Sequence, residues 1–383
     1  MKRYYFDYNA TSPLAESVKR WLAKGDFPYG NPSSLHAEGR ASRKLIQETK
    51  DYLLDFFGLP GYRIFFHSGA TEGANAIITG FAKRQKRSGN TMDFFSLPTD
   101  HSCVHNLRDE LLENGHKAHL FSTDKQGNFS QEDAVSAISR QKNPSLFNFT
   151  WVNNETGVVF NLDRAVEIKQ KTNCFVHVDG VQAVGKIKNF RKLSPLLDAY
   201  TFSAHKFGGM KGVGFTLLHP DFNFASCMRG GGQQDGMRSG TENVLSIHTI
   251  RLALQELQEK FDYDVMEAGK LLIENELKDL LSGSGEIIGG EAEIRNGNTI
   301  YFFLGGQNAG TLMTAFDLAD IGVSSGSACS TGAVRPSRVM MAMGYKQEDA
   351  QAGIRMSFSP YLNRDLAKEY LSVITKVVRR FLT

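Results

Sequence analysis

The chain has 383 residues, more than one small hydrophobic core fills, so two domains are the default expectation. Lys and Arg (44) nearly balance Asp and Glu (41), leaving a net charge of +3 and no long basic tract, which argues against nucleic acid or a membrane surface as the main partner. No apolar stretch reaches the length of a membrane span, the start of the chain lacks an apolar signal core, and Cys103, Cys174, Cys227 and Cys329 are scattered without a disulfide pattern; the expected compartment is a reducing cytoplasm.

Between about residues 62 and 219, short apolar runs alternate with longer helical patterns. Strands are predicted at 63–67, 92–97, 117–122, 145–150, 174–179, 199–203 and 214–219, several of them apolar on both faces like strands of a covered parallel sheet. Helices fit between them, for example at 70–87 and 163–172, and the cations from Lys83 to Arg87 suit a helix C-terminus. This alternation predicts a three-layer α/β domain. A single long helix is predicted from about Glu242 to Leu281, joining that domain to a smaller α+β one. The second domain is read as a strand at 299–304, a helix at 309–319, a loop at 324–335, a short helix near 337–343, a strand at 353–359 and a last helix from Arg364. The expected division is 13–245 for the large domain, and 246–383 with 1–12 for the small one.

In open α/β sheets, ligands bind beyond the carboxyl ends of the strands. Polar residues gather at five such ends: His67 to Thr71, Thr99 to His101, Val152 to Asn154, Asp179, and Ser203 to Lys206. Lys206, followed by small residues, can form a Schiff base with an aldehyde such as pyridoxal phosphate, or can be a plain surface lysine. The turn Ser68 to Gly73 opens a helix whose free N–H groups, with the Thr71 hydroxyl, would bind a phosphate; the alternative is helix capping by Ser68 or Thr71. Asp179 could keep a pyridine nitrogen protonated or cap the following turn, and Gln182 could donate to a ring hydroxyl. His101, His105 and Cys103 invite a zinc reading, but a closed site needs a fourth ligand and none has recognisable spacing, so no metal is expected; His101 better suits stacking on a flat cofactor and moving protons.

Three further segments stand out. The loop from Gly230 to Thr241 is rich in donors, and Thr241 could reach a phosphate in a neighbouring subunit; Ser239 and Glu242 alone also read as a helix capping box. Cys329 sits among small polar residues and glycines, an unusual place for a cysteine unless it reacts, and it would need a cationic or acid–base neighbour to do so quickly. In Gly353 to Ser359, alternation puts Ile354, Met356 and Phe358 on one face and Arg355 on the other, where its fork would clamp a carboxylate or form a surface salt bridge.

Taken in order, the segments Phe6 to Thr11, Gly30 to Ser34, Ser68 to Glu72, Val152 to Gly157, His177 to Gln182, Ser203 to Lys206, Gly236 to Thr241 and Ser324 to Cys329 resemble the NifS-like cysteine desulfurases, pyridoxal-phosphate enzymes of the class V aminotransferase family. The resemblance implies the aspartate-aminotransferase-like (fold type I) architecture and a homodimer. It implies Lys206 bonded to the cofactor, Asp179 on its ring nitrogen, Gln182 on its ring oxygen and His101 stacked on the ring. Ala70, Thr71, Ser203 and His205 would surround the phosphate, with Thr241 supplied by the partner subunit. Asn154, beside the cofactor, and Arg355 would hold the carboxylate of L-cysteine. Lys206 would remove the Cα proton, His101 would exchange the thiol proton, and Cys329 would take the sulfur as a persulfide while L-alanine leaves. The Ser324 to Cys329 loop is similar to the long-loop group, which supplies sulfur to an acceptor protein for iron–sulfur clusters or tRNA thiolation. Departures are Arg229 and Gln233 where the family often has histidines, Gly73-Ala74-Asn75 where Ser-Asp-Asn is more usual, and an end at Thr383 where many long-loop members continue. A selenocysteine lyase, another class V lyase or aminotransferase, or a non-catalytic scaffold are the rival readings.

Overall fold

A computed structural model describes residues 2–326 and 335–382. Its larger sheet has seven strands, in spatial order Arg63–His67, Gly214–Leu218, Ala199–Ser203, Phe175–Asp179, Ser145–Thr150, Asp93–Ser96 and Lys117–Leu120. Gly214–Leu218 runs antiparallel to both neighbours, and every other pair is parallel. All seven predicted strands are present, within a few residues of their predicted bounds.

The two faces of this sheet differ. On one, Phe147, Phe149, Val176, Val178, Tyr200, Phe202, Phe215 and Leu217 stay apolar along the whole strand and pack under helices Ala37–Phe56 and Val244–Lys260. On the other, Phe65, Leu146, Ala199 and Leu218 are apolar and pack on helix Ala70–Arg87. Two residues nearer the site, with the side-chain period of two, this second face turns polar: His67, Asn148, His177, Thr201 and Thr216, all buried.

A four-stranded antiparallel sheet follows, in the order Ser324–Ser325, Gly353–Ser357, Thr299–Leu304 and Gly285–Ile287. Ile354, Met356 and Phe358 form a separate core with Ile300, Phe302, Ile374 and, from the N-terminal segment, Phe6. Tyr4–Tyr5 pairs in parallel with Ile321–Gly322. Among the described residues, no helix is long and apolar enough to cross a membrane.

The single helix expected over 242–281 is two helices, Val244–Lys260 and Tyr263–Leu281. Phe261 is extended, and the Asp262 carboxylate accepts the Val265 N–H at 3.1 Å, starting a new helix where periodicity continues unbroken. The first of the pair is capped by Asn243, which accepts the Ser246 N–H at 3.2 Å, and not by the Ser239–Glu242 capping box.

Candidate active site

Helix Ala70–Arg87 begins directly after Gly69, and no side chain caps it. The capping alternative for Ser68 and Thr71 therefore does not hold. The Ser68 N–H donates instead to Glu72 at 2.7 Å, and Arg238 holds the same carboxylate at 2.9 Å. Against the burial that would raise it, the Arg238 and Ser68 hydrogen bonds hold Glu72 down at about 2. The N–H groups of Ala70 and Thr71 are left without intrahelical partners, at the positive end of an 18-residue helix. Ser203 stands beside this end: a Cβ placed on Gly69 would lie 3.8 Å from its Oγ. Helix and sheet approach closely because residue 73 is glycine; a Cβ there would meet His67 Nε2 at 2.5 Å and Thr201 Cγ2 at 2.7 Å.

Lys206 ends a short turn, Ala204–Lys206, that follows strand Ala199–Ser203. Its Nζ donates to the Asn9 carbonyl at 2.8 Å and the Ala10 carbonyl at 2.9 Å, and is largely buried. Burial, with Arg355 nearby, lowers it from 10.5 to about 8, against the pull of Asp7 and Asp179. His205, beside it, meets the Thr11 hydroxyl at 3.1 Å and is held neutral, at about 4, by burial and by Lys206, Lys186 and Lys211.

Asp179 closes strand Phe175–Asp179 and accepts the Val181 N–H at 3.1 Å, so it does cap its turn. Burial pushes its carboxyl upward, while His101 and Lys206 both face it and favour the charge. Burial pushes His101 downward. Its Nδ1 accepts the Cys103 N–H at 3.2 Å, which leaves the proton of the neutral ring on Nε2. Gln182 is buried and donates to the Asn9 carbonyl at 2.9 Å.

Arg355 is 5% exposed, so it is not a surface ion pair. It donates to Asp7 at 2.8 Å, to Ser324 Oγ at 2.7 Å and to the Asn154 carbonyl at 3.0 Å. Its buried Nε has no protein partner among the described residues. The smaller sheet and the N-terminal segment thus converge on the loop that carries Asn154. Two site residues stand apart. Thr241 is exposed in the segment before helix Val244–Lys260. Cys329 lies outside the described residues.

Beneath the site, the polar face of the sheet forms one hydrogen-bonded row. His67 Nε2 meets Thr216 at 3.0 Å, Thr216 meets Thr201 at 2.9 Å, and Thr201 meets His177 Nε2 at 2.8 Å. His177 Nδ1 meets Asn148 Oδ1 at 2.8 Å, and Asn148 Nδ2 donates to Asp100 at 2.9 Å. The amide oxygen of Asn148 is acceptor-only, so His177 donates from Nδ1 and accepts at Nε2, and every proton in the row points toward Asp100. Burial keeps His67 neutral at about 4 and His177 at about 3, and raises Asp100 to about 7.

Sequence reasoning missed this row, the Asn9 and Ala10 carbonyls, Asp7 and Thr11. Cys103, considered above only as a zinc ligand, has a thiol that burial and the nearby Asp179 and Asp100 raise to about 12, so it is unreactive at neutral pH. The one available signal was the segment Asp7 to Thr11 after three aromatic residues, Tyr4 to Phe6, which carried no assigned role.

The donor set fits an aromatic aldehyde bearing a phosphate. Uncapped N–H groups, Ser203 and His205 suit the phosphate, the Lys206 amine suits the aldehyde, and the Asp179 carboxylate suits a protonated ring nitrogen. Residues 4–367 match the sequence profile of the family described as aminotransferase class-V. The chain belongs to this family. A cysteine desulfurase of Cereibacter sphaeroides is 32% identical, over 99% of this chain and 96% of its own. A NifS-like protein from Rickettsia africae has the same fold, with a TM-score of 0.85 and 27% identity over 98% of this chain and 99% of its own. A structure of SspA in complex with cysteine superposes with a TM-score of 0.77 and 25% identity, over 94% and 99% of the two chains. Like other class V aminotransferases, the chain has the fold type I large sheet with an antiparallel strand set among parallel ones.

Proposed function

We propose that this class V enzyme is a pyridoxal-phosphate-dependent cysteine desulfurase, which converts L-cysteine to L-alanine and passes the sulfur through Cys329 to an acceptor. The observation that carries the reading is Lys206, a buried amine lowered to about 8, facing the Asp179 carboxylate and three residues after Ser203, which stands beside an uncapped helix start. The substrate class follows the relatives that share nearly the whole chain.

Bound pyridoxal phosphate supplies the electron sink that makes the substrate Cα proton removable. Ala70, Thr71, Ser203 and His205 would hold the phosphate, and Asp179 would keep the ring nitrogen protonated. Gln182 would donate to the ring oxygen, and His101 would lie against the ring. Lys206 would take the Cα proton: with its amine lowered to about 8, roughly a tenth of it is neutral at neutral pH, far more than for an ordinary lysine. Arg355 and the Asn154 side chain hold the substrate carboxylate, Arg355 with its fork already oriented by Asp7 and Ser324. His101 exchanges the substrate thiol proton at Nε2. Cys329 would attack the substrate sulfur as thiolate: its lone pair forms the S–S bond, the Cβ–S bond breaks, and the electron pair of the Cβ–S bond stays with the alanine skeleton, which takes up a proton. Exposed Thr241 is offered to the phosphate of a second subunit in a homodimer. The acceptor is a cluster scaffold or a sulfur carrier.

Lys206→Ala is the test. Wild-type protein reconstituted with pyridoxal phosphate turns yellow and releases alanine from L-cysteine. The variant keeps its fold by circular dichroism but loses both the colour and at least 99.9% of alanine release, roughly the 10³-fold of a lost general base and covalent anchor. A variant that stays yellow and active overturns the assignment.

A further inference from the structure

Lys186 is 3% exposed, yet among the described residues no carboxylate forms an ion pair with it. Its amine donates to the Gln182 side-chain oxygen, four residues back in the turn that follows strand Phe175–Asp179. The charged groups that face it are Lys206 and Arg355, which disfavour its charge, and Asp7, which favours it; burial dominates and drives its pKa well below the ordinary 10.5. A buried amine of this kind costs stability that a methionine would not. Packing therefore does not explain it, and its partner does.

Gln182 is gripped at both ends. Its Nε2 donates to the Asn9 carbonyl at 2.9 Å, a pure acceptor, and its Oε1 accepts from the Lys186 amine. The amide can therefore sit in one orientation only. The Asn9 carbonyl that takes one Gln182 N–H also takes the Lys206 amine at 2.8 Å, and Lys186 and Lys206 border the same cavity of about 10 Å³. The second N–H of Gln182 remains for the cofactor's ring oxygen.

We propose that Lys186 is a positioning residue: it holds the Gln182 oxygen and so aims the Gln182 amide N–H at the ring oxygen of the cofactor. The proposal rests on the cofactor reading given above. Without Lys186, the amide is held at one end only, by the Asn9 carbonyl, and its second N–H loses its fixed aim at the ring oxygen. An N–H on that oxygen competes with the proton it shares with the Lys206 nitrogen. Losing the N–H makes that proton harder to remove.

The experiment titrates the visible absorption of the reconstituted holoenzyme against pH in wild type, Lys186→Met, Gln182→Ala, the double variant and K186Q. Arg355, Asp7, Asp179 and Cys103, which face Lys206, are unchanged throughout; Lys186 faces it too, and its direct effect on Lys206 is read separately in the Q182A background. K186M and Q182A each raise the midpoint by about one pH unit, a tenfold change in proton affinity. The double variant moves no further than Q182A alone, since Lys186 acts through Gln182. K186Q, which keeps a donor without a charge, returns the midpoint toward wild type and stands in if K186M does not fold. A midpoint unchanged by K186M, or a full further shift by K186M in the Q182A background, overturns the proposal while leaving the cofactor reading intact. A wild-type protein that takes up no cofactor overturns both.

Discussion

At the scale of single residues, the site is governed by burial acting on charge. Lys206 is an ordinary lysine brought to about 8 because protein replaces water around it and Arg355 repels its charge. Only the neutral amine attacks an aldehyde. The rate of pyridoxal-phosphate uptake by apoprotein therefore rises with pH through about 8 and levels off above it, as stopped-flow absorbance would show. A rate still climbing tenfold per unit toward the ordinary 10.5 would mean that the amine is solvated. Most of these residues were legible in the sequence, because Lys206, Asp179, Gln182, His101 and Ser203 each follow or close a recognisable strand. What Lys206 touches was not legible. Asn9 and Ala10 contribute backbone carbonyls, and a carbonyl leaves no mark on residue type. Arg355 was legible as the odd face of a strand, but its partner Asp7 is 348 residues away in sequence and no local pattern joins them.

At the scale of elements, the large sheet was readable because strands buried on both faces are short apolar runs between helices. Its polar row was hidden by the same rule. Single residues such as Asn148 or Thr201 inside an apolar run look like tolerated exceptions until register sets them side by side. Helix Ala70–Arg87 packs against that row through Gly73, so Gly73→Ala forces a Cβ into His67 and Thr201. The expected cost is about 1–3 kcal/mol in urea unfolding, together with weaker phosphate binding as the helix start is pushed away; a stability within 0.5 kcal/mol of wild type would show that the row yields. The break at 261–262 was missed because an aspartate N-cap inside a continuous helical period is a weak signal. Asp262→Ala removes that cap and should cost about 1 kcal/mol by chemical denaturation. An unchanged midpoint would mean that packing alone ends the first helix.

At the scale of the whole molecule, two hydrophobic cores meet at the site. The large sheet supplies Asp179, Ser203 and Lys206. The smaller sheet supplies Arg355 and Ser324, and the N-terminal segment supplies Asp7, Asn9 and Thr11. We place the domain division near the start of helix Val244–Lys260, although that helix itself packs on the larger core through Ile247, Ile250 and Leu254. The N-terminal segment works as the strap between the two: Phe6 sits in the small core while Asn9 and Ala10 meet Lys206 of the large one. Substrate would thus be held between a lysine fixed to one core and an arginine fixed to the other, both oriented before it arrives.

The central claim is the fate of cysteine sulfur, and the direct measurement is product stoichiometry. Purified protein reconstituted with pyridoxal phosphate is given L-cysteine and a reducing thiol, and alanine and sulfide are quantified in parallel for wild type and Cys329→Ser. The account predicts equimolar alanine and sulfide from the wild type, and neither from the serine variant, which still binds the cofactor. Alanine and sulfide released at the wild-type rate by Cys329→Ser, or a yellow wild type that releases no alanine, would contradict it.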